Sequence, residues 1–262
     1  MYGTGNLNTA QFWEYDTRLG RRWNMDRVTK PWQSPYACFS EDPISRVDPN
    51  GDDDYKLDKK GNVSLKRKTN SETDKLIARS GFLGLKKSVL DVNKGVLNNQ
   101  HSGEFKEGDE TIKYNYFGIV GEQAGKELFE FVAKNTNVEW GLSKFGEGSL
   151  QTNILSTSHQ ETREGGITDL FKSPLFKSSD FRGYDHSHPG GEWHPSGSVH
   201  PIGDPDRQGD VKAAEIMQGA FSGRKLVFRI FTATDAKYTT YDSKTYIPLE
   251  LKEVEIIGTK PK

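Results

Sequence analysis

The spacing of apolar residues changes from that of a strand to that of a helix near residue 121, and this change limits the folds that the chain can adopt. Thr111–Gly121 alternates between polar and apolar residues and is rich in β-branched and aromatic types, which predicts a strand. Glu122–Asn135 then repeats apolar residues such as Leu128 and Val132 at helical spacing and predicts an amphipathic helix. A strand that passes directly into a helix, with more strands behind it, is typical of an α+β domain.

The remaining C-terminal sequence predicts further strands and one more helix. A long polar connection covers 159–180, and a loop rich in Gly, Pro and His follows the strand that begins at Phe181. Gln208–Gly219 has the pattern of a second helix. The order of elements therefore predicts an α+β fold with a mixed sheet. The predicted strands are Asn137–Phe145, Leu150–Ser158, Phe181–His186, Leu226–Thr232, Tyr238–Tyr241 and Tyr246–Ile257.

Charge and composition narrow the classes of function. Lys and Arg number 36 against 37 Asp and Glu, which argues against a general phosphate-binding surface. The single cysteine, Cys38, excludes an internal disulfide framework and a Cys-rich zinc module, so a metal site must use His and carboxylates. We expect no membrane association and no secretory signal peptide, because the chain has neither a long apolar run nor the signal-peptide pattern.

Residues 1–51 contain three of the five Trp and several turn formers. Their motifs resemble the C-terminal end of Rhs/YD-repeat proteins, which implies a small β-rich remnant of a delivery shell. In that family a variable toxin domain follows the closing motif. Relatives are in many cases cleaved after the closing Gly, but here Asp52 stands where an apolar residue is usual, so cleavage after Gly51 is left open. The matching residues are Tyr15-Asp16, Arg18-Leu19-Gly20-Arg21, Trp23, Pro43, Asp48-Pro49 and Gly51.

Residues 52–108 are interpreted as a charged linker or pre-toxin segment. The stretch 52–80 is mostly charged and polar, a composition that buries little apolar surface, so it predicts a linker or a loose hairpin around Lys60-Gly61-Asn62. Its basic run is more typical of a solvated face than of a nucleic-acid contact. The predicted division is therefore 1–51, 52–108 and a toxin domain over 109–262. The basic run comprises Lys59, Lys60, Lys66, Arg67 and Lys68.

Four of the six His fall within residues 186–200. His186 and His188 end a predicted strand and point to the same side, because side chains alternate along a strand. Pro189 and the glycines after it stop the strand and leave room for a substrate. Asp210 is the favoured third ligand, because Val211–Glu215 continues it into a helix. Two His and one carboxylate form the open tetrahedral site that zinc hydrolases use.

Other residues near this motif have competing interpretations. Asp204 and Asp206 are rival third ligands, and Asp206 also suits the N-cap of the second helix. His194 and His200 are interpreted as loop or substrate-rim residues ahead of any role at the metal. Two further expectations concern Asp185, which should point away from the two His, and Trp193, which is a candidate substrate wall.

The motif resembles that of the JAB/MPN metalloprotease family, also called JAMM, and more closely that of JAB-like toxin domains behind Rhs shells. The family signature is an upstream Glu, then H-x-H-P, then S-x-x-D. His186, His188 and Pro189 match it, and Glu139 in the sequence EWGL matches the general base. The resemblance implies a curved mixed sheet with flanking helices and a Zn²⁺ cofactor.

Two departures from the family pattern affect the predicted site. Position 210 lies farther behind position 188 than is usual, and Arg207 stands where the family has the Ser that stabilises the oxyanion. That role passes to Arg207, Ser196 or Ser198, or is absent. The predicted catalytic residues are Glu139, Arg207 and Ser196, and the predicted metal ligands are His186, His188 and Asp210.

The predicted function is that of an Rhs-associated zinc protease or isopeptidase toxin that acts on a protein in a recipient cell. The resemblance implies synthesis in the cytoplasm and export without a signal peptide, with type VI-like delivery. It also implies three partners: the rest of the Rhs shell, the secretion apparatus and a cognate immunity protein. Two alternatives remain. A metal-dependent nuclease is considered because His-rich loops with Asp also serve phosphodiester hydrolysis, and the basic run is its only independent support. A non-catalytic metal-binding module is supported by the departure at Arg207.

Overall fold

The structure is a computed structural model that describes residues 53–68, 73–81, 84–148, 151–164 and 180–248. It also describes the backbone of three short strands near the N-terminus. These strands, β1 (Leu7–Ala10), β2 (Trp13–Asp16) and β3 (Arg21–Arg22), pair antiparallel in one small sheet. The Rhs-type closing motif at 43–51 lies outside the described residues, so the Rhs resemblance stays a prediction.

A four-stranded sheet follows, in the order β5-β4-β6-β7. A tight turn joins β4 to β5, where Asp58 accepts hydrogen bonds from the backbone N–H groups of Lys60 and Asn62, so the hairpin lies where the sequence predicted one. Gly61 has a φ of 80°, a value that favours glycine. The strands are β4 (Asp53–Leu57), β5 (Val63–Arg67), β6 (Thr73–Ser80) and β7 (Lys86–Asn93).

The interpretation of residues 52–108 as a linker is therefore wrong. Tyr55, Leu57 and Leu76 are buried in a core that continues into the C-terminal part, while Lys56 between them is exposed. Average composition hides this arrangement, because a strand buries only every second side chain. The boundary at 108 also divides a hairpin, since the strand at 101–107 pairs with the strand that follows it.

The main sheet has seven strands in the order β14-β13-β12-β10-β11-β9-β8. One neighbouring pair, β12 with β13, is parallel and the other pairs are antiparallel, so the sheet is mixed as predicted. The strands are β8 (His101–Glu107), β9 (Glu110–Val120), β10 (Gly141–Phe145), β11 (Thr152–Thr157), β12 (Phe181–His188), β13 (Val227–Thr232) and β14 (Lys237–Tyr241).

Two helices cover opposite faces of the main sheet. Helix α1 (Glu122–Asn135) has the predicted bounds and packs between the main sheet and the four-stranded sheet, with Phe129 fully buried. Helix α2 (Gly209–Ala220) places Ala214 in a second apolar cluster on the other face. The result is an α+β arrangement in which the main sheet, with β12 as an inner strand, lies between the two helices.

The last predicted strand, Tyr246–Ile257, is not found in the part that is described. Residues 246–248 are not in a strand, and 249–257 lie outside the described residues. Ile247 instead donates its backbone N–H to the carbonyl of Ser198, which ties this segment to the His-rich loop. None of the described helices is long and apolar enough to cross a membrane.

Candidate metal centre

The two His of the H-x-H motif converge at the end of β12. Tyr184, His186 and His188 share one face of the strand, because side chains alternate. His186 and His188 are 3% and 8% exposed, and their Nε2 atoms lie 3.0 Å apart. Both imidazoles are shielded from water, and both direct their Nε2 atom at the same point. They are therefore placed to bind one ion together.

Asp210 completes this group from the first turn of α2. Its Oδ2 atom lies 3.3 Å from His186 Nε2 and 3.6 Å from His188 Nε2. Ser196 fixes the carboxylate, because its backbone N–H donates to Asp210 Oδ2 (2.8 Å) and its Oγ accepts from the Asp210 N–H (2.9 Å). The three predicted ligands are therefore brought together, and they form the one group among the described residues that could hold a metal ion.

The donor set fits a divalent metal such as zinc. Ligand atoms about 2.0–2.2 Å from a tetrahedral ion lie roughly 3.4 Å from one another, close to the three separations found here. His188 Nδ1 lies 2.9 Å from the carbonyl oxygen of Glu192, and with the proton assigned to Nδ1 it leaves the Nε2 lone pair facing the group. Two imidazoles and one carboxylate, with one side open to a cavity, match the ligand sets of catalytic zinc.

The electrostatics of the site also favour positive charge. Burial acts against ionisation of Asp210, but His186 and His188 outweigh it and hold the pKa of this carboxyl well below its usual range. Burial likewise opposes the charged form of His186, yet Asp210 and Glu139 raise the pKa of this imidazole. A cation is therefore stabilised at the point where the three side chains meet.

The two rival ligands, Asp204 and Asp206, do not belong to this group, and the Asp204 carboxylate serves a turn instead. Asp204 Oδ1 accepts the backbone N–H of Asp206, and Asp204 Oδ2 lies 3.4 Å from His200 Nδ1. The prediction that Asp206 caps the helix is wrong, because the N-cap of α2 is Gln208, without a side-chain cap. His200 thus belongs to the loop, as predicted.

Glu139 lies directly before β10, beside the end of β12. The next residue, Trp140, donates its N–H to Ser187 Oγ (3.0 Å) and accepts the Ser187 N–H at its carbonyl (2.9 Å). These two bonds align Glu139 with the strand end that carries His186 and His188. Burial raises the pKa of the Glu139 carboxyl to about 7, although both His counteract it.

Two cavities, here called the first cavity and the second cavity, share Glu139, Thr162, Ser196 and Asp210 in their linings. The first cavity has a volume of about 460 Å³ and the second a volume of about 480 Å³. Beyond the shared residues, the first cavity is lined mainly by Glu161, His188, Glu192 and His194. The rest of the second lining is mixed in character and consists of Phe105, Lys106, Glu107, Arg163, Glu164, Tyr184, His186, Gly209, Ala213, Met217 and Tyr241.

The proposed oxyanion role of Arg207 requires correction. Its side chain is buried and donates to the backbone carbonyls of His200, Ser243 (2.9 Å) and Thr245 (2.7 Å). Arg207 is absent from the described linings of both cavities. The guanidinium therefore secures the His-rich loop against the 243–245 segment, whereas Ser196 lines both cavities.

Ser198, the other hydroxyl considered for the oxyanion, is fully buried and absent from both described linings. Trp193, predicted as a candidate substrate wall, is 55% exposed. It too is absent from the described linings, although its neighbour His194 lines the first cavity. Asp185 points away from the site, as expected, and pairs with Lys144 and Arg229 on the opposite face of β12.

Two site residues escaped the sequence analysis. The Tyr184 hydroxyl donates to Glu164 Oε2, and both side chains line the second cavity. The alternation along β12 gave a signal for Tyr184, which stands two residues before His186. Glu164 gave no such signal, because it lies in a long polar connection without a period.

The raised pKa of Glu139 predicts a stability effect in metal-free protein. The usual carboxyl value of 4.5 rises to about 7 on folding. Between these pH values the unfolded chain releases a proton that the folded chain retains, so the free energy of unfolding falls as pH rises. Glu139→Gln should therefore be more stable than wild type at pH 8, by roughly 1–3 kcal/mol after allowance for solvent screening.

Urea unfolding at pH 4 and pH 8, with chelator present, tests this expectation. The advantage of Glu139→Gln over wild type should be largest at pH 8 and small at pH 4. The exposed helix residue Glu127 offers a matched control, since Glu127→Gln should change stability equally at both pH values. An advantage that does not depend on pH would contradict the burial of an ionisable Glu139.

Comparison with known proteins agrees with this geometry. Residues 119–215, which contain Glu139, both His and Asp210, match the family model described as JAB-like toxin 1. The mixed sheet with two helices fits an α+β fold of the JAB-like type, and the match supports a JAB-like toxin domain in this part of the chain. Searches of curated proteins and of solved structures found no match.

Proposed function

We propose that this protein is a toxin that hydrolyses a peptide or isopeptide bond in a target-cell protein, with Zn²⁺ as cofactor. The observation that carries the proposal is the convergence of His186 Nε2, His188 Nε2 and Asp210 Oδ2 beside the carboxyl group of Glu139. A structural metal site would need no ionisable group with a pKa near 7 in the adjoining cavities.

His186, His188 and Asp210 would hold the metal, with Ser196 fixing the carboxylate. A zinc ion there would supply Lewis acidity toward a carbonyl and lower the pKa of water. Glu139 has a pKa near the working pH, so it is suited to take a proton from water and return it to the leaving amine.

Ser196 is the candidate for oxyanion stabilisation. Its Oγ already accepts the N–H of Asp210, and a hydroxyl has one hydrogen left to donate. Because Ser196 lines both cavities, that hydrogen is available to a carbonyl oxygen in the cleft. The role that the family gives to a Ser shortly before the Asp would here come from the preceding loop.

Protein is favoured over nucleic acid as the substrate. The described lining of the first cavity contains Glu139, Glu161, Glu192 and Asp210 but neither Lys nor Arg. The second lining contains Lys106 and Arg163, but also Glu107 and Glu164. These carboxylates would repel a phosphodiester, which requires cationic or metal contacts along its backbone. In the basic run that supported the nuclease alternative, Lys59 donates to the Asn135 carbonyl and Arg67 pairs with Asp54.

The biological setting is proposed from the sequence resemblance alone. An Rhs shell preceding this domain would carry it out of the producing cell through a type VI-like apparatus, without a signal peptide. The toxin would act in the recipient cytoplasm, and a cognate immunity protein would protect the producer. The first 51 residues carry the Rhs-type motifs on which this setting depends.

The proposal is tested with purified protein and a recipient-cell lysate. Zinc-loaded wild type should bind one equivalent of metal and generate new protein N-termini, or newly freed Lys amines, detectable by mass spectrometry. His186→Ala should lose both metal and cleavage, because the site loses one of its three ligands. A zinc-loaded, folded wild type that leaves every lysate protein intact would contradict the proposal, and degraded nucleic acid would favour the nuclease.

A further inference from the structure

The β4–β5 turn (residues 58–62) lies against the segment that leads into Glu139. The Lys59 carbonyl accepts the backbone N–H of Asn137 at 2.9 Å, and Lys59 Nζ donates to the carbonyl of Asn135 at 3.0 Å. The turn belongs to the four-stranded sheet, which precedes the residues matched by the family model. A part of the chain outside the matched region therefore contacts the segment that carries the proposed base.

Gly61 brings this turn close to both neighbours of Glu139. A Cβ at position 61 would lie 2.9 Å from Val138 Cγ2 and 3.2 Å from the Trp140 ring, closer than Cβ atoms normally approach other atoms. Val138 and Trp140 stand on either side of Glu139, and both are buried. Because such packing leaves no free space, a shift of the turn would be passed on to the proposed base.

His159 joins the turn to the main sheet. Its Nδ1 lies 2.8 Å from the Lys60 carbonyl, and its Nε2 lies 2.9 Å from Asn115 Nδ2 in β9. A carbonyl can only accept a hydrogen bond, so the proton is assigned to Nδ1, and Nε2 then accepts from the Asn115 amide. The backbone of His159 is left-handed, with a φ of 58°. This conformation is costly for a residue other than Gly, so the surrounding contacts must maintain it.

The backbone around His159 holds Glu139 through both of its backbone groups. The Glu139 N–H donates to the Gln160 carbonyl at 2.8 Å, and the Glu139 carbonyl accepts the Thr157 hydroxyl at 2.8 Å. Thr157 Oγ1 in turn accepts the N–H of His159 at 3.1 Å. The placement of Glu139 therefore depends on the segment that the His159 imidazole fixes to the β4–β5 turn and to β9.

We propose that His159 is a positioning residue for Glu139, and that the β4–β5 turn is the support against which it acts. The proposal rests on the proposed hydrolysis for its catalytic meaning, whereas the placement of Glu139 can be measured without cleavage. His159 is absent from the described linings of both cavities, so it acts through Glu139 and not on the substrate. The four-stranded sheet thereby becomes part of the framework of the active site.

Hydrogen exchange of the Glu139 backbone amide tests this placement in the metal-free full chain. His159→Ala should accelerate the exchange by about tenfold or more, because the bond to the Gln160 carbonyl is no longer maintained. His159→Asn should restore most of the protection, since Asn tolerates a left-handed backbone and its amide can donate to Lys60 in place of Nδ1. The amide of Phe129, inside α1, should exchange as in wild type and so establish that each variant is folded.

Two glycine variants test the support from the side of the turn. Gly61→Ala adds a methyl group that overlaps Val138, so it should displace the turn and accelerate exchange at Glu139. Gly108→Ala is the matched control, because Gly108 also has a positive φ (60°) in a hairpin turn, but its added Cβ would meet no atom of the described residues within 4 Å. Both substitutions strain the backbone alike, and only the first should affect Glu139.

Peptide cleavage then connects this placement with catalysis. His159→Ala and Gly61→Ala should lower kcat roughly ten- to hundredfold with KM and zinc content little changed, because a displaced base acts on the transition state and not on substrate binding. His159→Asn and Gly108→Ala should stay near the wild-type rate.

The two measurements separate this proposal from the proposed function. The positioning role is overturned if His159→Ala leaves exchange at Glu139 unchanged, or if Gly108→Ala accelerates it as much as Gly61→Ala. If wild type cleaves no peptide but exchange follows the expected order, the hydrolase proposal fails and the positioning of Glu139 by His159 stands. If wild type cleaves peptides and neither kcat nor exchange responds to His159→Ala, the positioning role fails and hydrolysis stands.

Discussion

Glu139→Gln is expected to lower the rate of peptide hydrolysis by about 10²–10⁴-fold while the protein keeps its equivalent of zinc. The amide has nearly the shape of the carboxyl group but cannot accept a proton from water. His186, His188 and Asp210 would still bind the metal, because Glu139 does not belong to the group that they form. Hydrolysis rates and metal content, measured on the same preparations, test this expectation.

The choice of control decides how this result is interpreted. Glu127→Gln alters an exposed carboxylate on α1 and should leave both rate and zinc content unchanged. Loss of zinc in Glu139→Gln would make Glu139 a ligand. Full activity with zinc retained would exclude Glu139 as the base. The rate of wild type should also rise with pH as Glu139 loses its proton, and this limb should vanish in the variant.

Asp185→Ala is expected to destabilise the protein by about 3–5 kcal/mol. Asp185 is 1% exposed and accepts hydrogen bonds from Lys144 Nζ (2.6 Å) and from Arg229 Nε (3.0 Å) and Nη2 (2.6 Å). Burial lowers the pKa of Lys144, and Asp185 opposes this effect. Without the carboxylate, two cations remain close together beneath the centre of the main sheet.

Guanidinium unfolding of the metal-free protein measures this effect. Lys144→Met combined with Asp185→Leu should recover part of the lost stability, because a buried charge is costly mainly when its partner is removed. Arg229 would keep its stacking on Tyr238, 4.4 Å from the ring centroid. The Arg229 side chain is 31% exposed, whereas that of Lys144 is 12% exposed. A loss below 1 kcal/mol in Asp185→Ala would therefore indicate that water reaches Lys144, contrary to its packing here.

Strong periodicity explains which elements could be predicted. Helix α1 has the predicted bounds because its apolar residues keep one face over its whole length. The alternation at the end of β12 placed His186 and His188 on one side and Asp185 on the other, as found. Asp210 could be preferred over its rivals because it begins a helix, which fixes the direction of its side chain.

The failures came from local composition and from motif spacing. In β4 the buried residues Tyr55 and Leu57 flank the exposed Lys56. The average composition of the segment is charged, so it did not reveal a strand whose stability depends on residues distant in the sequence. Arg207 occupies the position of a family Ser, but position along the chain does not fix where a long side chain ends. Its guanidinium contacts carbonyls near residue 244, a tertiary contact that no local pattern encodes.

Because side chains alternate along β12, substitutions in this strand fall into two classes with different consequences. Substitutions at Tyr184, His186 and His188 alter the face that carries the cleft. Those at Asp185 and Ser187 alter the face that holds the sheet together. In a library across these five positions, variants at the three cleft-facing positions should fold but lack toxicity. Variants at the other two positions should fail to accumulate. Selection for folded but harmless variants, in a host that expresses this protein, should therefore recover substitutions at positions 184, 186 and 188.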